Sequence, residues 1–125
     1  MNPLSYDSSR VPPAPAVDVR VRKVTGGPGE RVRLIVDSGA DITVVPADLI
    51  QRLDLKPKDS VLVSAFGVGG ISASVYDAEI SMLELSPIIV EVLASPVNSH
   101  YVLGRDVLNR YRIILDGPRQ TLEIG

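Results

Sequence analysis

Val32-Arg33-Leu34-Ile35-Val36-Asp37-Ser38-Gly39-Ala40-Asp41-Ile42-Thr43-Val44-Val45 is an apolar run, a short polar turn and a second apolar run. Val32 to Val36 reads as a strand with Arg33 as its one polar residue, and it runs directly into Asp37. A carboxylate delivered by an apolar strand is partly desolvated, which favours a raised pKa and suits the group to proton transfer. Ser38 can hydrogen-bond across the turn, and Gly39 allows close approach of the backbone. By itself the tripeptide Asp37-Ser38-Gly39 means little more than a turn. Its flanks give it weight, because Ile42 to Val45 is β-branched and apolar, the signature of a second buried strand.

Working outward, Val17, Val19 and Val21 alternate with Asp18, Arg20 and Arg22, the period of a half-buried strand. Gly26-Gly27-Pro28-Gly29 turns the chain toward residue 32. After Pro46, Ala47 to Leu53 reads as a short helix with proline at its start. Residues 61–66 and 71–82 read as two strands joined by Gly67-Val68-Gly69-Gly70, hence a hairpin. Pro87 to Ala94 is a further strand. Asp106 to Arg112 is the best helix candidate, with Val107, Leu108 and Tyr111 on one side. Ile113 to Leu115 and Leu122 to Ile124 close the chain as a hairpin. The class expected is mainly β, with short strands and two short helices. Residues 1–16 hold Pro3, Pro12, Pro13 and Pro15 and predict a loose, exposed, flexible tail or linker ahead of a domain over residues 17–125.

Three ordered segments carry a family resemblance. Asp37-Ser38-Gly39-Ala40 between two apolar strands resembles the active-site segment of the retroviral-type, or retropepsin-like, aspartic proteases, with Ser38 where Thr is commoner. Gly67-Val68-Gly69-Gly70 is similar to the tip of that family's flap. Val102-Leu103-Gly104-Arg105-Asp106-Val107-Leu108 looks like its apolar-apolar-Gly-Arg-Asp/Asn-x-Leu segment, which opens the C-terminal helix. The resemblance covers roughly residues 17–124. It implies a closed acid-protease half-barrel with a flap hairpin and one C-terminal helix. Asp37, Ser38 and Gly39 then form the catalytic segment, and Ala40, Asp41, Val68, Gly69 and Gly70 contact substrate. Gly104 and Arg105 support the site, Arg105 pairing with Asp41. Ala40, Val44 and Ile71 are expected pocket walls. Asp106 has a simpler reading as an N-cap or first-turn acid.

Carboxylate-driven peptide hydrolysis needs two carboxylates sharing a proton, and the sequence holds one Asp-Thr/Ser-Gly. A homodimer supplies the second, which is how the family works. The return strand Arg119 to Ile124 resembles cellular and bacterial members more than the shortest viral ones. The expected activity is that of an aspartic endopeptidase acting on peptide or protein substrate without metal or cofactor. A catalytically silent dimerisation or peptide-binding domain on the same fold is the alternative. Ser9-Arg10-Val11 fits an autoprocessing site and a precursor linker alike.

Composition removes other classes. A net charge of -2, with no basic run, offers no nucleic-acid or anionic-membrane surface. No apolar stretch approaches the ~18 residues needed to span a bilayer. Absence of cysteine excludes thiolate chemistry, and with the lack of a signal-like start it makes a cytoplasmic location the expectation. His100 is the single histidine, which leaves no His-based zinc site. The chain has no G-x-S-x-G elbow to recruit His100 into a serine triad. No GKS or GKT follows the glycine loop, so a phosphate cradle is not indicated.

Overall fold

The computed structural model describes residues 3–63, 70–95 and 101–125. Among these are ten strands and two short helices, the mainly β architecture that the alternating apolar runs predict. β2 (Ala16–Arg22) shows the alternation most directly. Val17, Val19 and Val21 are buried, while Asp18 and Arg20 face solvent. β2 pairs antiparallel with β3 (Glu30–Val36), the strand that delivers Asp37. β4 (Thr43–Pro46) follows the turn and is buried along its whole length. It feeds α1 (Ala47–Arg52), which buries Leu49 and Ile50. β5 (Asp59–Val63) and β6 (Ile71–Ser81) form the expected hairpin, with register running from Asp59↔Val75 to Val63↔Ile71. Its tip, including Val68 and Gly69, lies outside the described residues, as does His100. β7 (Ile88–Ser95), the two-residue β8 (Val102–Leu103) and α2 (Arg105–Leu108) come next. β9 (Ile113–Asp116) and β10 (Thr121–Ile124) close the chain.

One sheet runs in the order β2-β3-β8-β4-β7-β6-β5, and β2 also pairs with β6, so the sheet closes on itself. The main core fills the interior with Leu34, Val45, Leu49, Val92, Leu103, Val107, Leu122 and Ile124. Fully burying one such leucine stabilises by ~1.5–3 kcal/mol relative to leaving it exposed. No helix among the described residues is long and apolar enough to cross a membrane.

Two sequence expectations need correction. The N-terminal segment differs from a loose tail. β1 (Leu4–Ser5) pairs with β10 through Leu4↔Leu122 and Ser5↔Thr121, and Asp7 bridges Ala14. Leu4 and Tyr6 pack against the main core, and β2 begins at Ala16. Turns over residues 8–12 bring the chain back on itself, and the apolar side chains of Leu4 and Tyr6 have a core to reach. The C-terminal helix is also shorter than residues 106–112. Past Leu108 the bonds tighten, with Arg110 N–H donating to Val107 and Tyr111 N–H to Leu108. Arg112 then exchanges both backbone bonds with Gly125, which draws the chain into the β9–β10 hairpin.

Candidate active site

The site follows from one topological fact: β3 and β4 are consecutive in sequence but are not neighbours. β8 lies between them, parallel to β3 through Ile35↔Val102 and Val36↔Leu103, and antiparallel to β4 through Val44↔Val102. The connection at residues 37–42 therefore arches over the end of β8. Asp37 N–H donates to the Leu103 carbonyl at 3.1 Å, and Arg105 N–H donates to the Ala40 carbonyl at 2.9 Å. The arch is thus hung at both ends from the segment Leu103-Gly104-Arg105.

Within the arch the turn closes on Asp37 itself. Ala40 N–H donates to the Asp37 carbonyl at 3.2 Å, and Gly39 N–H donates to the Asp37 carboxylate at 2.9 Å. The carboxylate is half-buried, while Ser38 and Gly39 are exposed. Arg105 clamps the far side. Its guanidinium donates to the Ser38 carbonyl at 2.6 Å and pairs with Asp41. This is the pairing the resemblance implies. Asp41 keeps 86% of its side chain accessible despite the pairing. Beneath the arch, Ile35, Ala40 and Ile42 pack on Val44, Ala73, Val75, Leu93 and Val102. Of the expected pocket walls, Val44 is buried under the loop, and Ala40, on the loop itself, is partly buried against that cluster. Gly70 ends the hairpin tip with a φ of +71°, a conformation that glycine adopts without strain.

Gly104 sits where the arch crosses. A Cβ there would come within 2.7 Å of the Ile42 carbonyl carbon and 3.0 Å of the Thr43 nitrogen, both backbone atoms. The expectation that Gly104 is a packing glycine behind the loop thus acquires a specific steric cause.

Sequence reasoning passed over Thr43 and undervalued Asp106. Thr43 is fully buried; its hydroxyl accepts from Gly104 N–H at 3.0 Å and donates to the Asp106 carboxylate at 2.8 Å. Asp106 also accepts Thr43 N–H at 3.1 Å, across 63 positions of sequence. Gly104, without a side chain, occupies the N-cap of α2. Asp106 is the acid of the first turn, as expected, and it additionally ties that turn to β4. The available signal was a lone hydroxyl in the apolar run Ile42 to Val45, because a buried hydroxyl needs partners. Thr43→Val keeps the shape but strands Gly104 N–H in the interior. The variant is expected to lose about 2 kcal/mol of unfolding free energy in urea titration. A loss below roughly 0.5 kcal/mol would remove Thr43 from the support of the site.

Beside the arch lies an open groove of about 360 Å³, lined by Asp41, Ile42, Asp77, Ile89 and Glu91 among others. Lys58 reaches Asp77 at 3.4 Å and Glu91 at 3.7 Å. Its ammonium is held above the usual lysine range, first by the charge of Asp77 and then by that of Glu91. Among the described residues, no three His, Cys, Asp or Glu side chains gather to hold a metal ion.

A family model described as "gag-polyprotein putative aspartyl protease" matches residues 27–110, about two thirds of the chain. That span contains the arch, the hairpin and the segment from which the arch hangs. Among solved structures, the chain is similar to the EIAV protease complexed with the inhibitor HBY-793. The identity is 19%, over 86% of this chain and 93% of that one, with a TM-score of 0.57. At that identity the likeness speaks for the fold. A comparison with curated proteins returns no match.

Proposed function

The chain belongs to the gag-polyprotein aspartyl protease family, of retroviral type, and on that premise we propose that it is an aspartic endopeptidase whose active site is completed by a second copy. The observation that carries this reading is the suspension of Asp37 at the head of an arch fixed by Leu103, Gly104 and Arg105. Such fixing presents one carboxylate in a constant orientation, which proton transfer in a cleft requires. One carboxylate is half of what hydrolysis needs. A two-fold axis beside the arch sets Asp37 against the partner's Asp37, and the pair shares one proton because both cannot ionise together at close range.

In that arrangement the dyad takes a proton from water as the water attacks the scissile carbonyl. The proton already held passes to the carbonyl oxygen, and the leaving nitrogen is protonated as the tetrahedral intermediate collapses. Water is the nucleophile, so no acyl-enzyme forms. The Ser38 hydroxyls of the two copies interlock beneath the pair and hold its geometry. Substrate lies as an extended strand, main chain to main chain, with Asp41 meeting its backbone and alternate side chains entering recesses such as the groove by Ile42 and Ile89. The β5–β6 hairpin, with Val68, Gly69 and Gly70 at its tip, closes over the strand and excludes water.

The purified chain is expected to cleave a mixed peptide library between mildly acidic and neutral pH. Its specific activity should fall on dilution below the dimer dissociation constant. Activity per chain that stays constant in a proven monomer removes the shared dyad. Peptide binding with no cleavage at any pH or concentration returns the silent-module reading.

A further inference from the structure

On the outer face of β2, Asp18, Arg20 and Arg22 stand in three rows with their cross-strand neighbours. Asp18 faces Arg33 of β3, and their carboxylate and guanidinium meet at 2.9 Å. Arg22 faces Glu79 of β6 and pairs with it. The middle row sets Arg20 directly opposite Arg31 on one side and Ser81 on the other. Like charges opposed in a sheet repel each other. Among the described residues neither of these two arginines has a side-chain hydrogen bond or an ion pair. The acids nearest to them in sequence are taken, Asp18 by Arg33 and Glu30 by Arg52 at 2.8 Å.

The row borders an open recess of about 390 Å³, lined by Arg20, Arg31, Ser81, Met82 and Leu83 among others. Gly29 makes room for the Arg20 side chain, since a Cβ there would fall 2.8 Å from its Nε and 2.9 Å from its Cγ. Leu83, in the turn from β6 to β7, is an apolar shelf that keeps 46% of its surface exposed. Its φ of +51° lies in the left-handed region, which a leucine occupies at a cost. Strain of this kind persists where surrounding structure holds it, and it gathers at ligand-binding sites.

We propose that this face is an exosite for an acidic segment of a polypeptide substrate, with a carboxylate gripped between Arg20 and Arg31 and an adjacent apolar side chain on Leu83. Charge complementarity chooses the occupant. The unneutralised charge is confined to one row and flanked by neutral pairs, which matches one or two carboxylates. A nucleic-acid backbone needs a longer basic track, and the chain as a whole carries a net charge of -2. Ser81 adds a hydroxyl donor to the same row. Asp37 lies six residues beyond Arg31, about 20 Å of extended strand. The acidic segment therefore lies at least about six residues from the bond that is cut. Binding stands on the sheet geometry alone, whereas its role in cleavage rests on the endopeptidase reading above.

The test measures binding of a fluorescent peptide of alternating glutamate and leucine to the full chain carrying Asp37→Asn, so that the probe is not consumed. The same peptide with glutamine for glutamate is expected to bind about 10-fold more weakly. Arg31→Glu, added to that chain, sets an acid opposite Arg20 and completes the row as a cross-strand pair. Its Tm should equal or exceed that of its parent while affinity for the acidic peptide falls about 10-fold or more. Leu83→Gly relieves the left-handed strain and should hold its Tm while binding weakens about threefold. With Asp37 intact, a substrate extended by the acidic segment should show a KM about 10-fold below that of the same cleavage sequence without it. Arg31→Glu should abolish that advantage and cleave the short substrate as wild type does. Equal binding by Arg31→Glu and its parent, or of the glutamate and glutamine peptides, overturns the exosite. Binding of inorganic phosphate or tripolyphosphate where the acidic peptide fails overturns the polypeptide occupant. Peptide binding that Arg31→Glu removes, with neither substrate cleaved, keeps the acid-binding site and overturns the endopeptidase reading instead.

Discussion

Asp37→Asn is expected to abolish peptide cleavage and leave the fold in place. In a homodimer the substitution removes both carboxylates at once, and with them the base for water and the acid for the leaving group. General acid–base catalysis contributes roughly 10²–10⁴-fold to a rate, so a fall of at least ~10³-fold is the expected result. Asparagine retains an oxygen that accepts the Gly39 N–H bond, now 2.9 Å long, so the turn keeps its closure. Asp37 is half-buried beside exposed neighbours, and the variant should melt within a few degrees of wild type. Parallel assays of cleavage and thermal unfolding separate the two effects. Equal cleavage by both proteins would take Asp37 out of the chemistry.

The second large effect comes from a residue with no side chain to contribute to chemistry: Gly104→Ala should damage stability and activity together. The added methyl has no vacant direction, because its nearest neighbours are the carbonyl carbon of Ile42 at 2.7 Å, the Ile42 oxygen at 2.8 Å and the Thr43 nitrogen at 3.0 Å. These are backbone atoms of the arch, so relief requires the arch or α2 to move rather than a side chain to rotate. Overpacking of this kind costs ~1–3 kcal/mol, which corresponds to a fall in Tm of roughly 10 °C for a chain of this size. Moving the arch also displaces Asp37, whose N–H is bonded to Leu103 next door. Misplacing a catalytic group by about 1 Å can lower the rate ~10²-fold. Thermal unfolding with cleavage kinetics reads both. An unchanged Tm would mean that the arch and α2 do not meet closely.

What the sequence made legible was local. The alternation of Val17, Val19 and Val21 and the apolar run into Asp37 reported their own burial. Glycines between two strands reported a hairpin, and Gly104 between Leu103 and Arg105 reported close packing once the family pattern was seen. What stayed hidden was non-local. β8 is two residues long, and its place between β3 and β4 leaves no local periodicity to read. The bond from Thr43 to Asp106 joins distant positions, and either residue alone passes for an ordinary strand or helix residue. Docking of Leu4 against Leu122 was masked by surrounding prolines, which report an extended backbone and not what the extended segment pairs with. α2 ends early because Arg112 finds a strand partner in Gly125, a competition invisible to helical spacing.

The central claim is that Asp37 is half a site. Its most direct measurement is the cleavage rate of wild-type chain mixed with Asp37→Asn, at constant total concentration well above the dimer dissociation constant. A shared dyad predicts a rate falling with the square of the wild-type fraction, because only dimers carrying two Asp37 carboxylates turn over. A rate falling in simple proportion to that fraction would mean that each chain works alone, and would contradict it.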